Sequence, residues 1–158
     1  MKEGKINLPN NFIVPEKYET SDFHFTVLEP SLTKIDYEAV MSSQERLRQV
    51  FRLNDSWPAK EMTIDENTKD LIRHESEFRM KKAFAYSVYR EKKNNYIGCV
   101  YINPTSKKNY SCEVYLWVKD SRIELDEKLL QQTKEWLEKY WNLKSVAYPG
   151  RDIPWSIW

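Results

Sequence analysis

Tyr96–Pro104 reads YIGCVYINP, Ser111–Asp120 SCEVYLWVKD, Ser121–Trp141 SRIELDEKLLQQTKEWLEKYW and Leu143–Arg151 LKSVAYPGR. In order these are a strand, a second strand, a helix and a short strand. Tyr96 to Asn103 is rich in aromatic and β-branched residues and stops at Pro104. Ser106 to Asn109 is a polar turn, so the two strands form an antiparallel hairpin. In the second strand Cys112, Val114, Leu116 and Val118 point one way, and Glu113, Tyr115 and Trp117 the other. Leu125, Leu129, Leu130, Thr133, Trp136, Leu137, Tyr140 and Trp141 then recur at helical spacing. Ser121 and Glu124 have the spacing of a capping box at the start of that helix, and Asn142 ends it. A right-handed helical crossover of about twenty residues lays Lys144 to Tyr148 parallel to the Cys112 strand.

Upstream, Phe84, Tyr86 and Val88 alternate as a strand that Glu91 to Asn95 turns into the next one. Thr63-x-x-Glu66 is a capping box opening a helix over Asp65 to Lys81, with Leu71, Ile72 and Phe78 on one face. Thr33 and Asp36 form a weaker capping pair for a helix over Ile35 to Arg52, which carries Tyr37, Val40, Met41, Leu47, Val50 and Phe51. Asn54 to Pro58 breaks that helix. Phe23, Phe25 and Val27 make a first strand before Pro30. Residues 1–21, with Pro9 and Pro15, lack periodicity and read as an extended N-terminal arm, leaving 22–158 as a single domain. The expected fold is α+β: a mixed, mainly antiparallel sheet flanked by helices, with one parallel strand pair joined by the last helix.

A chain of 158 residues has room for a real core. Aromatics make up 14% of it, which points to a thick aromatic core or to exposed stacking surfaces. The net charge is +1 and no long basic run exists, Lys92-Lys93 and Lys107-Lys108 being short, so no nucleic-acid footprint is expected. No apolar run approaches the roughly 20 residues of a membrane helix, and no targeting segment is visible. The expected location is cytoplasmic, with no membrane partner. A hairpin centred near Lys107 sets Cys99 opposite Tyr115 and Ile102 opposite Cys112, out of reach of a disulfide. Both cysteines are expected as buried thiols. His74-Glu75-Ser76-Glu77-Phe78 lacks the second histidine of a zinc helix, so no metal is expected.

The strand–strand–helix–strand order, with Ile97-Gly98-Cys99-Val100 and Glu113-Val114-Tyr115-Leu116-Trp117-Val118, resembles the GNAT acyl-CoA N-acyltransferase superfamily from Asp22 to Arg151. The ending Val146 to Arg151 and the HESEF segment at His74 are closer still to a bacterial GNAT-like group with a degenerate pyrophosphate loop. The resemblance implies acetyl transfer to a small-molecule amine or another acceptor, with acetyl-CoA as cofactor. Its cofactor contacts would be Leu116, Trp117 and Val118 along the strand, and Ser121 and Arg122 at the loop. Glu113 is implied as general base, and Tyr148 as the acid that protonates the leaving thiolate. Arg151 would meet an anion and Trp57 would stack on substrate.

Each of these residues also has a plain structural reading: Glu113 as a cross-strand ion-pair partner, Tyr148 as a core or rim aromatic, Arg151 as a turn charge and Trp57 as a packed loop. The family's loop glycines fall near Arg122, Glu124 and Asp126, where side chains crowd the phosphates and acids repel them. Acetyl-CoA is therefore expected to bind weakly. The alternative is a non-catalytic GNAT-like ligand-binding or interaction module. The family's last two strands have no counterpart after Tyr148, so the C-terminal edge, with Trp155 and Trp158, is expected to be covered by its own tail or by a homodimer contact.

Overall fold

A computed structural model describes residues 4–91 and 95–158. Its sheet has six strands in sequence order: β1 (Lys17–Glu19), β2 (Phe23–Val27), β3 (Phe84–Arg90), β4 (Tyr96–Asn103), β5 (Cys112–Val118) and β6 (Val146–Ala147). The first four pairings are antiparallel, and β5 pairs β6 in parallel. This is the expected mixed sheet. β1 lies inside the segment read as an arm. Its three residues, KYE, are too few and too polar to show an alternation.

Four helices cover the two faces: α1 (Thr33–Ser42), α2 (Gln44–Leu47), α3 (Ile64–Arg79) and α4 (Asp126–Lys139). On one face α4 buries Leu129, Leu130, Trp136 and Leu137 against Phe25, Tyr86 and Val114, and Ile6, Leu8, Phe12 and Val14 pack at its margin. On the other, α1, α2 and α3 cover Tyr96, Cys99, Tyr101, Tyr115 and Trp117. The aromatic residues are mainly core. The Thr63–Glu66 capping box forms in full, and Asn142 takes the left-handed φ of 51° that stops α4.

Several expected details differ. The long first helix is two, broken at Ser43. Thr33 lies inside α1 rather than capping it, and Asp36 is buried. Ile72 and Tyr140 are exposed, because each falls at the margin of its helix's apolar stripe. Ser121 to Glu124 winds into a 3-10 segment, Asp120–Leu125, and α4 begins after it with no side-chain cap. The hairpin register is shifted: Cys99 pairs with Trp117 and Ile102 with Val114, because the turn centre lies one residue later than Lys107. Cys99 and Cys112 are both free and buried, and they sit on opposite faces of the sheet. Most of the polar turn read at Glu91 to Asn95, including Lys92-Lys93, lies outside the described residues.

Gly98 is required by the sheet itself. A Cβ there would lie 1.9 Å from the carbonyl oxygen of Trp117, a backbone atom held by the β4–β5 ladder. Gly98→Ala must push the two strands apart, and is expected to cost roughly 1–3 kcal/mol in urea unfolding. Stability within experimental error of wild type would show that the strands yield freely there.

Candidate functional site

β5 and β6 pair only through Cys112↔Val146 and Glu113↔Ala147. Beyond that the chain turns away through Tyr148, Pro149, Gly150 and Arg151. Gly150 holds a φ of 77° with the Trp155 ring directly beneath its Cα, so a side chain has neither the conformation nor the space. The divergence leaves the far half of β5 without a strand partner on that side. This is the place where a strand edge could offer hydrogen bonds to an extended ligand.

In this chain two arginines take that edge. Arg151 donates to the carbonyl oxygen of Leu116 at 3.0 Å and grips both oxygens of Asp126, the first residue of α4, at 2.5 and 3.0 Å. Such a forked pair is among the stronger polar contacts available to a protein. Arg46, from α2, donates to the Val118 carbonyl and pairs with Asp120 at 2.6 Å. A cavity of about 180 Å³ remains between them, lined by Val50, Val114, Tyr115 and Leu116.

The loop before α4 is equally committed. Its 3-10 winding sends the Arg122 N–H back to the Lys119 carbonyl, and the Asp126 N–H back to that of Ile123. The Asp120 N–H donates to Ser43 Oγ at 2.8 Å. Asp126 and Glu127 occupy the first turn of α4, where the helix dipole favours negative charge. Arg122 is held by Glu124 at 3.0 Å and by Asn95 at 3.2 Å. These N–H groups are spent, and the helix start already carries its anions. The three N–H groups and the Arg122 side chain named here are therefore not free to meet the pyrophosphate of acetyl-CoA.

Ser121 is exposed. Leu116 and Val118 turn their side chains into the α4-side core, whereas Trp117 faces the other way and donates from Nε1 to Tyr101 Oη at 2.8 Å. Glu113 accepts a 2.7 Å hydrogen bond from Tyr115, on the α1–α3 face. Tyr148 is buried in the core on the α4 face, with Lys134 Nζ 5.1 Å from its ring centre, and burial raises its phenol. Glu113 and Tyr148 are thus on opposite faces of the sheet. Arg151 meets Leu116 at the cleft, and Trp57 stands apart from both at a second cavity.

That second cavity holds about 250 Å³ between α1, α3 and the sheet. Asp36, Asn67, Asp70 and His74 line it, together with Phe51, Trp57 and Tyr101. Asp36 is 3% exposed. Its carboxyl accepts from Tyr96 Oη and from Asn67 Nδ2 at 3.0 Å, with the Cys99 thiol 3.7 Å away. Burial pushes its pKa up. Ile97 is an extra residue in β4, since Val88 pairs with Gly98 and Tyr89 with Tyr96. That bulge brings Tyr96 onto the same face as Cys99 and Asp36. The sequence reading missed Arg46, Asp36 and Tyr96. For Asp36 a signal existed, since it shares the helical phase of Val40 and Leu47. No group of three potential metal ligands occurs among the described residues.

No family model and no curated protein matches the sequence. Among solved structures the chain is similar to a ribosomal-protein alanine acetyltransferase from Vibrio fischeri, with a TM-score of 0.64 and 14% identity over 84% of this chain and 72% of that one. A ribosomal alpha-N-protein acetyltransferase in complex with coenzyme A gives 0.60 and 14%, over 76% and 66%. Spermidine N-acetyltransferase from Vibrio cholerae, in complex with CoA and spermine, gives 0.58 and 12%, over 82% and 71%. The chain has the GNAT fold. It spans about two thirds to three quarters of the length of these GNAT proteins. At such identities the likeness speaks of architecture, and the GNAT cleft has to be judged on its own residues. No helix among the described residues is long and apolar enough to cross a membrane.

Proposed function

We propose that this chain is a ligand-binding protein built on the GNAT fold, with its acyl-CoA cleft closed by its own arginines. The observation that carries the reading is Arg151, which joins the Leu116 carbonyl to the Asp126 carboxylate across the gap an acyl-CoA arm would enter. The ligand site is then the cavity on the α1–α3 face.

Calorimetry with acetyl-CoA tests it. Binding to the wild-type chain should be high-micromolar or weaker, less than roughly 6 kcal/mol. The double variant Arg151→Ala, Asp126→Gly removes the bridge and one anion, and should bind at least tenfold more tightly. Sub-micromolar binding by the wild-type chain would overturn the reading.

One observation favours a second reading, an N-acyltransferase with a weakened cofactor site acting on a small amine. The Glu113–Tyr115 hydrogen bond lies where β5 and β6 part, in reach of an acceptor entering from the α1–α3 face. On that reading acetyl-CoA hydrolysis or transfer is measurable, and Glu113→Gln abolishes it.

A further inference from the structure

The cavity between α1, α3 and the sheet has a chemistry that nothing in the cleft explains. Phe51 meets Trp57 at 69° and Tyr101 at 65°, with ring centres 5.5 and 5.0 Å apart. The three rings are adjacent walls rather than a stack. Tyr101 is fixed from behind by Trp117 and is itself buried.

Two acids complete the enclosure. Asp36, almost fully buried, has only neutral donors around it: the Tyr96 hydroxyl, the Asn67 amide and the Cys99 thiol. No lysine or arginine pairs with it among the described residues. Asp70 shares a side-chain hydrogen bond with Trp57. Arg73 and His74 line the same cavity, and Arg73 reaches Asp70 at 3.9 Å and Glu77 at 3.2 Å, so one guanidinium is shared between two carboxylates. A carboxyl as buried as Asp36, with only neutral donors bound to it, is costly, and a cation entering the cavity lowers that cost.

We propose that this cavity binds a small alkylated ammonium ion, with Asp36 and Asp70 supplying charge and Phe51, Trp57 and Tyr101 supplying ring surface. Aromatic walls attract such cations through their ring quadrupoles. An alkylated head suits the site better than a primary amine for a specific reason. The Asp36 oxygens already accept hydrogen bonds from Tyr96 and Asn67, and Asp70 is engaged by Trp57. The three N–H groups of a primary ammonium would compete with those donors, whereas a methylated head has no N–H to satisfy.

The proposal rests on the ligand-binding reading, but its experiment is separate from the acetyl-CoA titration. Choline, ethanolamine and the neutral carbon isostere of choline are titrated into the full chain by calorimetry. Choline should bind, and at least tenfold more tightly than either of the others. Trp57→Ala and Asp70→Asn should each weaken choline at least tenfold, with thermal melts reporting whether the variants are folded. The isostere comparison uses the wild-type chain and needs no variant. The double variant Arg151→Ala, Asp126→Gly should bind choline as the wild type does, because the arginine bridge is not part of this cavity. Silence from choline, equal binding of the isostere, or tighter binding of ethanolamine each overturns the proposal, whatever acetyl-CoA does.

Discussion

Trp136→Ala is expected to destabilise the protein by about 3–5 kcal/mol, the cost of emptying a large buried aromatic site. Trp136 is the point where three parts of the chain meet. Its ring stacks on Tyr18 at 4.6 Å and 9°, which ties β1 to α4. It packs against Phe25 and Tyr86 of the sheet at 5.0 and 5.1 Å, and against Trp141 at 5.5 Å. Removing it opens a cavity with rigid aromatic walls, which have little freedom to collapse. Leu137→Ala, one residue on and fully buried, should cost about 2–5 kcal/mol. Glu135 is exposed on the outer face, and no ion pair joins it to Lys139 among the described residues, so its loss should stay within about 0.5 kcal/mol. Urea unfolding of the three variants gives the comparison. If Trp136→Ala shifted the midpoint no more than Glu135→Ala, the packing of α4 on the sheet would be wrong.

The α4 contact was readable because its signal is periodic and long. Leu129, Leu130, Thr133, Trp136 and Leu137 repeat over about two and a half turns, and every one is buried. Strand β5 was readable for the same reason at period two, and β4 from its aromatic and β-branched run ending at Pro104. The exact hairpin register was not, because Pro104 to Ser111 contains no two-residue turn signal and its midpoint must be guessed. The glycine-free loop was legible as a loss, since a missing glycine is visible in the letters. What replaced it was not. Arg46 and Arg151 are single long cations, and their partners at Asp120 and Asp126 lie on other elements. No local pattern marks which carboxylate or carbonyl an arginine will reach. Asp36 shows a different failure. The Thr33–Asp36 spacing suits a helix cap, and the helical phase that places Asp36 inward suits a buried acid. Tertiary packing chose the second.

That buried acid gives the other large expected effect. Asp36→Ala removes the acceptor for both the Tyr96 hydroxyl and the Asn67 amide inside the core. Asn67 keeps the Thr33 carbonyl at 3.3 Å and Tyr96 keeps Cys99 Sγ at 3.0 Å, so neither is left wholly unpaired and the variant should lose roughly 2–3 kcal/mol. Asp36→Asn keeps an oxygen for Tyr96 but turns an amide toward the Asn67 amide, so it should lose less. Its greater use is in pH dependence. Burial raises the Asp36 pKa above its ordinary 3.8. The folded protein therefore holds this proton to higher pH than the unfolded chain does. Between 3.8 and the raised value the folded state binds more protons, so stability falls as pH rises and levels off above that value. Asp70, also raised by burial, contributes the same sign, and Asp22 and Glu124, held low by hydrogen bonds, contribute the opposite one. Those three are present in both proteins, so subtracting the Asp36→Asn profile from the wild-type profile isolates Asp36. The difference should decline as pH rises from 3.8 toward neutrality. Parallel profiles across that range would mean that Asp36 titrates alike folded and unfolded, and would contradict its burial among neutral donors.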